Sequence, residues 1–587
     1  MRVHLPYSCI AISDLDDATL EMWRAPGVVY LVGSYISIFP PTNLPAGWNI
    51  TQALWQRILR KSDLSFLGKD LDDIPFEAVM HCYPNRRAIR PIIQRLFCER
   101  QPNPIHHCLF SSLKSGLAKG LVTTNYDLAF DSLAEGDPDV VTVFDPRSFE
   151  HYRNLCSGSS SSPKAYFKIH GTAAPGAEAT IVCDLQAESW LDQWKRDLLL
   201  EMTRDRTLII IGYSGRDFDI CPELVNYTKQ AHTVWLQPHR RALQPNAQRV
   251  LSEKRGVVVE GDLLDFLRIL LDPDLTVSAP SPQTVHLDDF DPALTGEWRL
   301  QILNWIACPT LLYESFSELG DKPALRQSLL GHCGLYRDAV QELKSEVARS
   351  LGSPDERLRG MIDLCCARVI YGQHLKAWTM LNRIDKELLD HASATGDLRA
   401  AATEARMIMY MRAAQIARAF RLTSILRYIQ GKASPLYRQV RKILQESGAW
   451  GRLEALQQNA ERIGVATADG LPLPARRGYR SLGLVSMDVI MKRDWIRSGH
   501  WRLNPEKERM ALEIIAKAEH YGWHHEAWKL NWILLFRGTG NKMQYFRSWR
   551  KHFRATQYPL FARLLQLFLN LVPTGPEHAF EDDRYWN

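Results

Sequence analysis

The stretch Thr207-Leu-Ile-Ile-Ile-Gly-Tyr-Ser-Gly-Arg-Asp217 sets an unbroken β-branched and aliphatic run directly against glycine, serine and charge. A run without polar alternation belongs to a strand covered on both faces, and such strands occur in parallel sheets flanked by helices. Working outward, the same reading applies to Val28-Val-Tyr-Leu-Val-Gly33, Gly120-Leu-Val-Thr-Thr-Asn-Tyr-Asp127, Ala165-Tyr-Phe-Lys-Ile-His-Gly171, Thr233-Val-Trp-Leu-Gln-Pro238 and Val257-Val-Val-Glu-Gly-Asp262. Helix-like segments such as Thr51-Gln-Ala-Leu-Trp-Gln-Arg-Ile-Leu59 lie between them, so the first part of the chain is expected to be an α/β domain with a Rossmann-like parallel sheet.

Beyond it the pattern changes. Residues 271–296 are rich in Pro, Asp, Ser and Thr, as an interdomain connection is, and the sequence then turns helical. The expected domains are 1–272 for the α/β part, 273–296 for a linker, 297–465 for a first helical region and 482–587 for a second. Asn504 reads as an N-cap with Pro505 at the first helical position. Gly334 and Ala339, Gly372 and Ala377, and Gly522 and Ala527 repeat a five-residue glycine-to-alanine spacing. One glycine closing a helix and one alanine admitting the next is the logic of tetratricopeptide pairs, against the alternative of an irregular all-α bundle. Two interruptions stand out: Ser157–Lys164, a Ser-rich patch expected to border a ligand, and Ala466–Ser481, expected to divide the helical part.

At 587 residues the chain exceeds one hydrophobic core, and 45% hydrophobic with 24% charged residues matches ordinary globular domains. Its 72 basic and 66 acidic residues give only +6, which leaves nucleic-acid binding unsupported. No apolar run reaches the ~18 residues of a membrane helix and the opening residues lack a secretory pattern, so no membrane association is expected and the cytoplasm is the default location. The eleven cysteines include no C-x-x-C pair, so no metal is expected.

Polar residues follow the strand ends, where open α/β sheets bind ligands. Gly33, Ser34 and Ser37 suit close approach to a phosphate, though a plain turn also fits them. Thr124, Asn125 and Asp127 follow the next strand: Asn125 suits a ribose hydroxyl or a water, and Asp127 suits either a ligand or a neighbouring loop. His170 offers a group that titrates near neutrality, one among 18 histidines. Gly212 and Ser214 suit phosphate or ribose, and Gly261 with Asp262 suit the far end of a nucleotide or a turn.

In this order the segments resemble the sirtuin family, especially its bacterial NAD-consuming branch found in anti-phage defence. The glycine-rich loop matches Gly33 through Ser37, the T-x-N-x-D element Thr123 through Asp127, the K-x-H-G element Lys168 through Gly171, and the G-x-S element Gly212 through Ser214. The resemblance covers about the first 270 residues. It departs at Tyr35, which stands where the family loop has its second glycine, and in lacking the two Cys pairs of the deacylases' zinc module. What the resemblance implies is NAD as substrate, cleavage of the nicotinamide–ribose bond by an NAD glycohydrolase, Asn125 and His170 as catalytic residues, and the other strand-end residues as cofactor contacts. A helical region that senses a protein activator or builds a homo-oligomer would regulate it. The alternatives are an NAD-dependent protein deacylase and a nucleotide-sensing scaffold without turnover.

Overall fold

The computed structural model describes residues 7–465, with interruptions of which the longest is 316–329, and residues 502–555. The chain forms two compact units, Met1–Trp298 and Arg299–Asn587.

The first unit is built on an eight-stranded, wholly parallel sheet. Its strands are β1 (Ser8–Ala11), β2 (Val28–Val32), β3 (Ala118–Thr123), β4 (Val140–Val143), β5 (Lys164–Lys168), β6 (Thr207–Ile211), β7 (His232–Gln237) and β8 (Val257–Glu260), in the spatial order β1-β8-β7-β6-β2-β3-β5-β4. The α/β expectation from the central runs holds. The two edge strands β1 and β4 were not foreseen, each being only four residues long. The alternating pleat explains why the central strands read as continuous apolar runs. Val28, Tyr30 and Val32 enter the core on one face while Val29 and Leu31 enter the core on the other, and Ile209 and Ile211 oppose Leu208 and Ile210 in the same way.

After the edge strand β1 the chain crosses to β2 near the middle of the sheet, builds β3, β5 and β4 to one side of β2, then returns to place β6 on the other side. The switch point therefore falls between β2 and β6, the crevice where open α/β sheets take ligands.

Residues 273–296, expected as a connection, are mostly exposed among their described residues but are anchored onto this unit at a few apolar side chains. Leu275 and Phe290 are buried, Arg57 donates to the Phe290 carbonyl (2.8 Å), and Tyr83, Phe290 and Trp298 form an aromatic cluster whose indole N–H reaches the Val79 carbonyl (2.8 Å). The composition of the segment reports its turns and misses these few apolar anchors.

The second unit is helical throughout its described residues. Helix Pro354–Ile370 packs against His374–Asp390 and Gly396–Ala419, the last pairs with Thr423–Glu446, and His524–Arg537 packs between Pro505–Tyr521 and Lys542–Ala555. Asn504 caps its helix by accepting from the Lys507 amide (2.8 Å), with Pro505 following. Ala339, Ala377 and Ala527 are each fully buried, and Gly522 ends its helix in the left-handed region (φ 81°). Gly334, Gly372, residues 159–162 of the Ser-rich patch and the whole of 466–481 lie outside the described residues. No described helix is long and apolar enough to cross a membrane.

Candidate active site

The loop after β2 must pass within van der Waals reach of the loop after β6, because β2 and β6 are neighbours. The Gly33 amide donates to the Ile211 carbonyl (3.0 Å), and a Cβ at Gly33 would meet the Gly212 carbonyl oxygen at 2.5 Å. Gly212 itself takes φ 64°, a backbone region that disfavours side chains. Glycine at both places is thus a packing requirement of the switch point, and the gap they open becomes the floor of a cavity of about 580 Å³.

Gly33, Ser34, Ser37, Thr124, Asn125, Asp127, His170, Gly212 and Ser214 all line this cavity. Their contacts differ in kind. Asp127 accepts from Ser37 Oγ (2.9 Å) and from the Ala129 amide (3.1 Å), so it ties the loop after β3 to the loop after β2. Ser37 in turn accepts from Asn125 Nδ2 (3.1 Å), which also reaches the Gly33 carbonyl (3.3 Å). The amide of Asn125 is thereby oriented, and its Oδ1 is buried with no partner. A buried carbonyl oxygen left unpaired by the protein is an acceptor held for a ligand.

Behind these loops Lys168 is fully buried. Its Nζ donates to the Asp127 carbonyl (2.6 Å) and pairs with Asp131 (2.7 Å), while burial pulls its pKa down against that carboxylate. The lysine of the K-x-H-G element is a brace. Buried His106, held neutral by burial with a pKa lowered to about 4, stands 3.4 Å from Ser37 Oγ on the same network.

His170 lies two residues beyond the end of β5 and is 4% exposed. Its Nε2 donates to Asp219 Oδ1 at 3.2 Å, with Asp217 Oδ2 at 3.9 Å. Burial opposes the imidazolium, yet the two carboxylates outweigh it and raise the histidine pKa. Both aspartates come from the loop after β6, beyond the glycines that line the floor. Glu77, from helix Phe76–His81, also lines the cavity, its pKa pushed up to about 7 by burial and by Asp217, and Asp217 is pushed up to about 6 chiefly by burial. Glu188, from helix Leu185–Glu188, stands beside them. The sequence reading did not single out Asp217, Asp219, Glu77 or Glu188 as site residues. The spacing Asp217-x-Asp219 directly after a strand end was the available signal for two of them.

Two expected residues lie elsewhere. Gly261 and Asp262 border a separate hollow beside β1: a Cβ at Gly261 would meet Ile12 at 2.0 Å, and Asp262 caps helix Leu263–Leu270 by accepting from the Leu264 amide (2.7 Å). β8 lies two strands beyond β6, away from the switch point, so its strand-end polar residues serve packing and capping. Tyr35 lines the cavity with its ring edge-on to Phe39 (centroids 5.9 Å apart), and its φ lies outside the left-handed region, so the position tolerates a side chain.

The fold and cavity define an open parallel α/β domain with its ligand crevice at the switch point, followed by a helical unit. Residues 119–259 match the model of the SIR2-like domain. A search of curated proteins finds no match. Among solved structures, a signal transduction ATPase with numerous domains that carries a tetratricopeptide repeat sensor, from Pyrococcus horikoshii, is similar at 12% identity over 97% of this chain and 94% of that one, with a TM-score of 0.19.

Proposed function

We propose that the SIR2-like domain is an NAD glycohydrolase, and that the chain is a regulated anti-phage defence effector that depletes NAD, its helical unit sensing a partner or building an oligomer. The observation that carries this reading is the convergence of nine expected residues on one cavity, with the unpaired Asn125 Oδ1 and the His170–Asp219 couple in its lining.

In the proposed reaction the glycosidic C–N bond breaks with its electron pair going to nicotinamide, which neutralises the pyridinium, so departure needs no acid. Water attacks the vacated face of the ribose carbon and gives its proton to His170. Asp219 holds the ring through Nε2–H and leaves Nδ1 as the acceptor. Asn125 Oδ1 accepts from a ribose hydroxyl or from the attacking water, and Ser37 and Asp127 keep that amide in place. Gly33, Ser34, Thr124, Gly212 and Ser214 make the cofactor contacts. The carboxylates of Glu77 and Asp217 favour the oxocarbenium-like charge that develops on the sugar.

The test is chromatography of full-length protein with NAD, with and without an acylated-lysine peptide, beside calorimetric NAD binding. The expected result is nicotinamide and an ADP-ribose product without peptide. Strict dependence on the peptide would move the assignment to a deacylase, and NAD binding without turnover would move it to a nucleotide-sensing scaffold.

A further inference from the structure

The side chains of His170, Glu188, Asp217 and Asp219 each offer a donor atom, and these four atoms lie within 4.8 Å of one another. Among ligands spaced octahedrally around a cation with bonds of about 2.1 Å, the widest pair is roughly 4.2 Å apart, so the group needs to close by only some tenths of an ångström.

A second observation is independent of that spacing. Glu188 is 1% exposed and neither of its carboxylate oxygens has a hydrogen-bond partner. Asp217 Oδ2 is likewise buried without a partner, whereas Asp127 is tied down by Ser37, Asp131 by Lys168 and Asp219 by His170. A carboxylate withdrawn from water with nothing to satisfy it is held for something that arrives later. The carboxyls of Asp219, Asp217 and Glu77 face the His170 imidazole and buried Lys195 faces Asp219, so acids outnumber bases in this cluster. Three carboxylates and a neutral imidazole around a divalent ion leave a net charge of −1. Oxygen donors with one imidazole and no thiolate suit a hard to borderline divalent cation.

We propose that His170, Glu188, Asp217 and Asp219 form a binding site for one divalent cation of the Mn²⁺ class. The proposal departs from the expectation of no metal, which rested on the missing cysteine pairs. The site goes beyond the NAD reading and stands without it. One consequence does rest on that reading: an imidazole bound through Nε2 keeps its proton on Nδ1, so an occupied site withdraws the proton acceptor and the cation inhibits hydrolysis.

The test titrates full-length protein with Mn²⁺ in the absence of NAD, following loss of the free-ion electron paramagnetic resonance signal. One Mn²⁺ per chain is expected, with affinity at least ~10-fold weaker in Glu188→Gln and in Asp219→Asn. Circular dichroism checks that both variants fold. Added Mn²⁺ should slow nicotinamide release by the wild type and not by Glu188→Gln. Absence of binding at millimolar Mn²⁺ or Zn²⁺ would overturn the site and show that Lys195 and protons suffice. Equal binding by both folded variants would overturn it as well, and Mn²⁺ that binds without slowing release would remove Nε2 from the ligand set.

Discussion

Of the glutamates buried in the two units, Glu508 and Glu188 are treated in opposite ways. Glu508, in the helical unit, accepts from Thr539 Oγ1 (2.6 Å), the Thr539 amide (2.8 Å), the Gly540 amide (2.8 Å) and the Tyr545 hydroxyl (2.7 Å). Burial alone would raise its pKa, yet these donors outweigh it and hold the carboxyl down at about 2. Glu188, in the α/β unit, has no donor, and burial pushes its pKa well up. A satisfied buried charge locks a loop between helices. An unpaired buried carboxyl has acceptor capacity left open to a ligand.

The comparison breaks first, and most visibly, at the polar groups of the cavity. Asn125→Ala and His170→Ala are each expected to lower nicotinamide release by at least ~100-fold, the usual loss for positioning and proton-transfer groups. On the proposed reading, in which the Asn125 oxygen and the His170 ring serve a ligand more than the fold, neither should shift the melting temperature much. Normal turnover in a folded variant would falsify that residue's role. A folding collapse with Asn125→Ala would instead make its bonds to Gly33 and Ser37 structural.

The two glutamates themselves give the next largest effect. Glu508→Gln leaves two amides, a hydroxyl and a phenol facing an uncharged group with one donor of its own, and should destabilise the helical unit by about 1–3 kcal/mol. Hydrogen exchange at the Thr539 and Gly540 amides reads this locally. Glu188→Gln has no such bonds to lose and should change stability by less than about 1 kcal/mol. If the second variant proves as unstable as the first, Glu188 is a structural acid and the contrast fails.

The contrast also has a pH signature. The folded-state pKa of Glu508 is depressed, so its contribution is present above the unfolded value of roughly 4.3 and is lost as pH falls from there toward about 2. Exchange at Thr539 should therefore accelerate across that acid window in the wild type. Glu508→Gln should show no such acceleration there.

The parts of this organisation legible in the sequence share a cause. β2, β3, β5 and β6 are central strands, and burial on both faces leaves a long apolar run that stops abruptly at polar residues, so Gly33, Asn125, His170 and Gly212 were found together. β1 and β4 are four-residue edge strands in which β1 has no buried residue and β4 is buried only at Val140 and Val143, and they carry no such mark. Gly261 and Asp262 fall beside a different hollow because a strand end says nothing of strand order, and only order separates the switch point from the sheet margin. Glu77 and Glu188 sit on short helices, where a carboxylate looks like any surface charge until the fold buries it. The apolar anchors of 273–296 were hidden among turn residues that dominate its composition.

Tyr35 offers the smallest and most discriminating change, since here the chain departs from the family pattern without straining its backbone. The Tyr35 amide donates to the Gly212 carbonyl (3.3 Å), and a Cβ added at Gly212 would meet the Tyr35 Cβ at 3.2 Å, so the residue already rests on the cavity floor. Tyr35→Gly keeps that amide and removes only the ring and its edge contact with Phe39, at a backbone-entropy cost of about 0.5–1 kcal/mol borne by the loop. If the ring holds the pocket closed until a partner docks, the variant binds NAD somewhat better and turns it over without an activator, because the competent state is populated beforehand. We expect this outcome, with the change in NAD affinity staying below ~10-fold. Titration of NAD and turnover for wild type and Tyr35→Gly decide it. A large loss of affinity would assign the ring to the nucleotide itself, stacked against a base, and Tyr35 would then belong with Asn125 among the groups held for a ligand.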